Sequence, residues 1–197
     1  MIYDPTRHHR RSIRLPAYDY AAPGAYFVTL VTHARESLFG QVIDSEMRLN
    51  VLGEVVAEEC RRTGEIRREI QLDAFVAMPN HVHAVVIIGH GVGAHGRAPL
   101  LQQHDALSRA PLHRLPRSLG SFVAGFKSAV TKRINEMRGT PGLPVWHRNY
   151  YEHVIRNEEE LDRIRQYIAG NPTCWDHDRE NPDYRPRDDH HVVAEPF

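Results

Sequence analysis

Two histidines one residue apart, His81 and His83, head the apolar run His81-Val82-His83-Ala84-Val85-Val86-Ile87-Ile88. In a strand, side chains at i and i+2 leave the same face about 6.5–7 Å apart, so two imidazoles there can converge on one ion. Such pairs are a known way to hold a divalent metal. The pattern is weak by itself in a chain of 14 histidines, and two sheet-face histidines are the plainer reading of the pair alone. Its setting argues for more. Imidazoles on the face of a buried strand are costly unless a partner satisfies them.

Tyr167 is the second candidate. It flanks the apolar stripe Leu161, Ile164 and Ile168 of a helical segment, which puts its hydroxyl at the boundary between core and solvent. By itself it reads more simply as a tyrosine at the edge of a core. Asn171 lies one helical turn further on the same face, where its amide oxygen could serve as a third metal ligand. As the residue before Pro172 it equally suits a helix C-cap. The two uses differ in direction: a capping side chain turns to the backbone, whereas a ligand turns to His81 and His83. Tyr150 and Tyr151 are rival nucleophiles. In a strand they face opposite sides, and they read as structural residues or as stacking platforms for bases.

Elements must bring these residues together. Residues 26–33 are β-branched and aromatic and read as a strand. The 3–4 spacing of Val51, Leu52, Val55, Val56 and Cys60 predicts an amphipathic helix over 47–68. Residues 70–77 alternate as a half-buried strand does, Met78-Pro79-Asn80 is a turn, and 81–88 is the histidine strand. Residues 89–118 lose all periodicity and read as a long flexible loop. Phe122, Phe126, Val130 and Ile134 repeat every four residues, which predicts a helix over 117–138, stopped by Gly139-Thr140-Pro141-Gly142. A strand over 145–155 and a helix capped by Asn157, with Glu160 three residues on, complete the order. The first six elements are βαββαβ. That is an α+β, ferredoxin-like antiparallel sheet with helices on one face, followed by a C-terminal helix bearing Tyr167. One domain is expected over 1–175, with an irregular acidic tail over 176–197.

Lys+Arg and Asp+Glu are 25 each, so net charge points to no partner. The distribution is uneven. Arg7, Arg10, Arg11 and Arg14 cluster near the start, and Lys127, Lys132 and Arg148 lie on or just after the basic second helix. Local basic surface is what a phosphate backbone requires. Two cysteines without a CxxC pair, and no apolar leader or membrane-length run, fit a cytoplasmic protein with no membrane partner.

The residues also carry a resemblance. The segment MPNHVH (78–83) resembles the histidine–hydrophobe–histidine motif of single-tyrosine HUH transposases. SLGSFVAGFKSAVTKRIN (118–135), VWHRNYYEHVIRNEEEL (145–161) and YIAGNP (167–172) are together similar to REP-associated tyrosine transposases. The similarity covers roughly residues 10–175. It implies that His81, His83 and Asn171 hold Mg²⁺ or Mn²⁺ and that Tyr167 is the nucleophile. The implied reaction is cleavage and rejoining of single-stranded, hairpin-containing DNA through a 5′-phosphotyrosine, by a monomer or homodimer. On this reading Arg7, Arg10, Arg11, Arg14, Lys127, Lys132 and Arg148 contact DNA. Three other readings remain open on the residues alone: a DNA-binding protein of the same fold that does not cut, a His-x-His metal hydrolase, and an interaction module.

Overall fold

The computed structural model describes residues 18–89 and 117–184. Nearly all of the expected 89–118 loop, the arginines at 7, 10, 11 and 14, and the end of the acidic tail lie outside the described residues. Four strands form the main sheet: β1 (Gly24–Val31), β4 (Ile70–Ala77), β5 (His81–Ile88) and β6 (Tyr151–Ile155). A small hairpin, β2 (Gly40–Ile43) and β3 (Glu46–Leu49), precedes helix α1 (Val51–Ile66). Helix α2 (Leu119–Arg138) precedes β6, and helix α3 (Glu158–Gly170) follows it. The sheet order is β4-β5-β1-β6 with every neighbour antiparallel. That is the strand order of the ferredoxin-like arrangement expected from the sequence.

The alternation of side chains sorts the core into two layers. On one face Tyr26, Val28 and Leu30 of β1 meet Val82, Ala84 and Val86 of β5, under α1 and α2. On the other, Phe27 and Val85 lie under Leu161, Ile164 and Ile168 of α3. Full burial of each of those three α3 residues is worth about 1.5–3 kcal/mol. Packing therefore decides which face α3 covers. His81 and His83 share the odd-numbered face of β5 with Val85, so period two alone delivers both imidazoles to the side that carries α3.

Three expectations are corrected in detail. The helix does not begin at Met47. Asp44 and Ser45 take positive φ (52° and 62°) and turn β2 into β3, and Met47 and Leu49 lie in β3. The helix starts only after Asn50, whose side-chain oxygen accepts from the N–H groups of Leu52 and Gly53. A Cβ on Gly53 would stand 2.1 Å from the Phe39 carbonyl, so only glycine lets α1 lie this close to the chain before the hairpin. The strand expected over 145–155 is confined to Tyr151–Ile155. Trp146 makes a single bridge to Thr32, and the stretch between is irregular. Finally, the chain past Trp175 is not simply a tail: a 3-10 turn spans Pro172–His177, and after it Asp178 and Glu180 return to His81 and Asn80 at the start of β5.

Candidate functional site

His81 and His83 are 0% and 3% exposed, with ring centroids 4.4 Å apart. Each has its Nδ1 held from behind. His83 Nδ1 lies 2.9 Å from Thr29 Oγ1, and β1–β5 pairing puts Thr29 directly opposite His83. His81 Nδ1 lies 2.9 Å from Asn80 Oδ1. Both Nε2 atoms are thereby left for the site, the usual arrangement of ligating histidines.

Three groups meet them. Tyr167 Oη is 3.3 Å from His83 Nε2. Asp178 Oδ2 is 3.7 Å from His81 Nε2, with the Asp178 side chain only 7% exposed. Asn171 ends α3 through its backbone N–H, which donates to the Ile168 carbonyl, but its side chain does not cap. Instead the amide donates to Asp178 Oδ2 at 3.4 Å, on the site side, and among the described residues its Oδ1 is buried without a hydrogen-bond partner. His83, Tyr167, Asn171 and Asp178, with Thr29 and Tyr151, line a pocket of about 150 Å³.

The electrostatics fit a cation. His81 Nε2 and Asn171 Oδ1 are both buried, and neither has a well-formed hydrogen bond among the described residues. Leaving such atoms unmet costs about 1–3 kcal/mol each, so their convergence beside a buried carboxylate is unfavourable until something positive joins them. His81, His83 and Asp178 offer ligand atoms within 4.8 Å of one another. Burial pushes the His81 imidazole down to about 4. The nearby Asp178 carboxylate and Asn171 amide oppose this, and Arg35 adds to it. Burial, and then the neighbouring His81, hold His83 well below its ordinary value. Neutral imidazoles are the ligand form.

Further contacts hold the surroundings in place. Arg35 donates to the Arg179 carbonyl and pairs with Glu180 at 3.1 Å, pinning the segment that presents Asp178. The α3 helix is tied to the sheet at two points. Arg165 grips Asp73, at the bulge in β4, with two bonds of 2.7 Å. Glu160 accepts from the Arg156 N–H and meets His153 Nε2 at 2.8 Å.

A protein of Haemophilus influenzae with no assigned activity is 37% identical over 177 residues, spanning 90% of this chain and 96% of its own. The chain belongs to the same family as that protein. No family model matches the chain. Among solved structures, a REP-associated tyrosine transposase bound to a REP hairpin superposes with a TM-score of 0.49 at 16% identity, covering 82% of this chain and 73% of its own. A Deinococcus radiodurans chain described as a candidate transposase superposes with a TM-score of 0.41 at 17% identity, covering 80% of this chain and 96% of its own. Among the described residues, no helix is long and apolar enough to cross a membrane.

Of the residues singled out from sequence, His81, His83, Tyr167 and Asn171 come together. Lys127, Lys132 and Arg148 do not join them; they line a separate groove of about 740 Å³ between α2 and the stretch before β6. Lys132 and Arg148 are exposed there. Lys127 is occupied: its ammonium donates to the carbonyls of His147 and Asn149, 2.9 Å each, and burial pushes it down to about 8. Tyr150, just before β6, and Tyr151 pack into different core layers, Tyr150 beside Lys127 and Tyr151 in the histidine pocket. Sequence reading missed Thr29, Asn80 and Asp178. Asn80 is visible only as a turn residue and Thr29 as a strand residue. By sequence Asp178 falls in the expected acidic tail, in a stretch without periodicity.

Proposed function

We propose that the chain is a metal-assisted tyrosine nuclease and strand transferase acting on single-stranded, hairpin-containing DNA. The observation that carries this reading is the position of Tyr167 Oη, 3.3 Å from His83 Nε2, on the sheet face where both imidazoles sit. Two histidines and a buried acid suit many metal sites. A phenol at their edge, on a helix tied to the sheet by the Arg165–Asp73 salt bridge, suits a nucleophile that must be aimed. The motif order quoted above supplies DNA as the substrate class.

His81, His83 and Asp178, with the Asn171 amide oxygen, would hold Mg²⁺ or Mn²⁺. The nitrogen ligands favour Mn²⁺ on affinity. Bound there, the ion would supply charge stabilisation for the scissile phosphate. The chain's own residues do the rest. Tyr167 Oη forms a bond to phosphorus as the bond from phosphorus to the 3′ oxygen breaks. The phenolic proton leaves to solvent, and the departing oxygen takes up a proton as a free 3′-OH. The product is a 5′-phosphotyrosine. Attack by another 3′-OH reverses the step and joins the strands. The Thr29 hydroxyl and the Asn80 amide keep the imidazoles oriented through the cycle.

The test is incubation with end-labelled hairpin single-stranded DNA from the gene's own flanks, with Mn²⁺ or Mg²⁺, followed by a denaturing gel. The expected result is a slow-migrating adduct that needs metal and is absent in Tyr167→Phe. Binding without an adduct in either metal would turn the reading to a non-cutting DNA-binding protein. Cleavage that survives Tyr167→Phe would turn it to a hydrolase using water.

A further inference from the structure

We infer that Asn80 is a positioning residue for His81: its side-chain oxygen keeps the imidazole proton on Nδ1, so that Nε2 turns a bare lone pair into the site. The tautomer follows from hydrogen-bond accounting and is independent of the function. Its use toward a metal rests on the reading above.

Asn80 is fully buried, so no solvent can stand in for a missing partner. Its Nδ2 donates to two carbonyls, those of Arg35 at 3.2 Å and Glu180 at 2.5 Å. A carbonyl only accepts, so the end of the amide facing both must be the nitrogen. The other end, Oδ1, then faces His81 Nδ1 at 2.9 Å. Oδ1 also only accepts. Nδ1 must therefore carry the hydrogen, since two lone pairs at that distance would repel. A neutral imidazole has one N–H, which leaves Nε2 unprotonated. The backbone fixes the arrangement as well. The Thr32 N–H donates to the Asn80 carbonyl, and the Met78 N–H donates to that of His81.

The same amide does a second thing. By donating to Glu180 it fastens the segment after α3 across the site, two residues from Asp178. One side chain thus sets the lone pair of His81 and fastens the stretch that carries the carboxylate beside it. A purely structural asparagine would need only the second contact. Asn80→Asp separates the two, because it keeps an oxygen for Nδ1–H and loses both donations.

The experiment is long-range ¹H–¹⁵N correlation spectroscopy of the full chain with labelled histidine, at neutral pH with metal chelated. It is run on the wild type, Asn80→Asp and Asn80→Ala, and followed by Mn²⁺ titration calorimetry. The wild type and Asn80→Asp are expected to show His81 as the Nδ1–H tautomer. Asn80→Ala is expected to show a mixture at His81 while His83, held by Thr29, keeps its signal. Mn²⁺ affinity should fall about 10–100-fold in Asn80→Ala, the usual loss when a ligand's outer partner is removed, and much less in Asn80→Asp. An Nε2–H tautomer in the wild type overturns the inference. So does Asn80→Asp binding Mn²⁺ as poorly as Asn80→Ala, which would leave Asn80 a fastener only. If Asn80→Ala does not fold, the wild-type tautomer and the Asp variant still decide. A wild type with the Nδ1–H tautomer that binds no Mn²⁺ supports the hold of Asn80 on His81 and removes the metal reading instead.

Discussion

Two imidazoles without charge, inside a protein, make acid a direct threat to the fold. An unfolded histidine takes up a proton near pH 6.5. Folded His81 resists until about 4, and His83 is depressed in the same direction. Between those limits the unfolded chain binds more protons than the folded one, so stability rises with pH and is lost as pH falls through the window. With metal chelated, the Tm should decline as pH drops from 6.5 toward 4 and change little between 7 and 8. A flat profile across the window would mean the imidazoles charge without penalty. The proposed ligand set predicts a companion effect. At pH 7.5 Mn²⁺ should raise the Tm, because an ion that binds only the folded chain stabilises it by mass action. Asp178→Asn and Asn171→Ala should each shrink that rise. If Asp178→Asn leaves the rise whole, the carboxylate is a neighbour of the ion and Asn171 completes the set with the histidines.

Elements place these side chains, and here the reading from sequence divides. Everything that depends on a period was visible: the face shared by His81 and His83, the α2 and α3 stripes, and the approach of Asn171 one turn after Tyr167. What stayed hidden depends on register or on return of the chain. Thr29 meets His83 only because β1 and β5 pair at that offset. Asp178 meets His81 only because the chain folds back after a 3-10 turn. Most of β3 falls inside the expected helix because Met47 and Leu49 continue an apolar pattern. Lys127 shows the same divide. Its place on a basic helix reads as a phosphate contact, yet its ammonium fastens the carbonyls before β6. Lys127→Met should therefore lower the Tm by loosening that stretch, while the slope of log affinity against log salt for single-stranded DNA stays the same. A slope smaller by about one would instead make it a phosphate contact.

For the molecule as a whole, the decisive relation is that the tyrosine helix lies on its own sheet. Leu161, Ile164 and Ile168 close the layer over Phe27 and Val85 of the same chain. Three such burials contribute several kcal/mol. The Arg165–Asp73 grip adds less, about 1 kcal/mol at most for a pair this exposed, but it fixes where along the sheet the helix sits. Arg165→Ala should then lower the Tm by only about 2–4 °C, the shift that 1 kcal/mol gives a chain of this size. On the proposed reading it should reduce adduct formation more than it reduces DNA binding, since it moves Tyr167 and leaves the histidines in place. The same geometry makes a sharper prediction. If Tyr167 serves the histidines of its own chain, a Tyr167→Phe protein mixed with a His83→Ala protein holds no complete site in any copy. Cleavage should stay absent from the mixture at every ratio, whether the protein is a monomer or pairs through another surface. Two chains that exchanged α3 would assemble one wild-type His83 with one wild-type Tyr167. They would regain activity, reaching about a quarter of the wild-type level in an equal mixture on random pairing with two sites per dimer. Adduct formed in the mixture but in neither variant alone would show that α3 crosses to a partner, and the contacts to Phe27 and Val85 would then be made between chains.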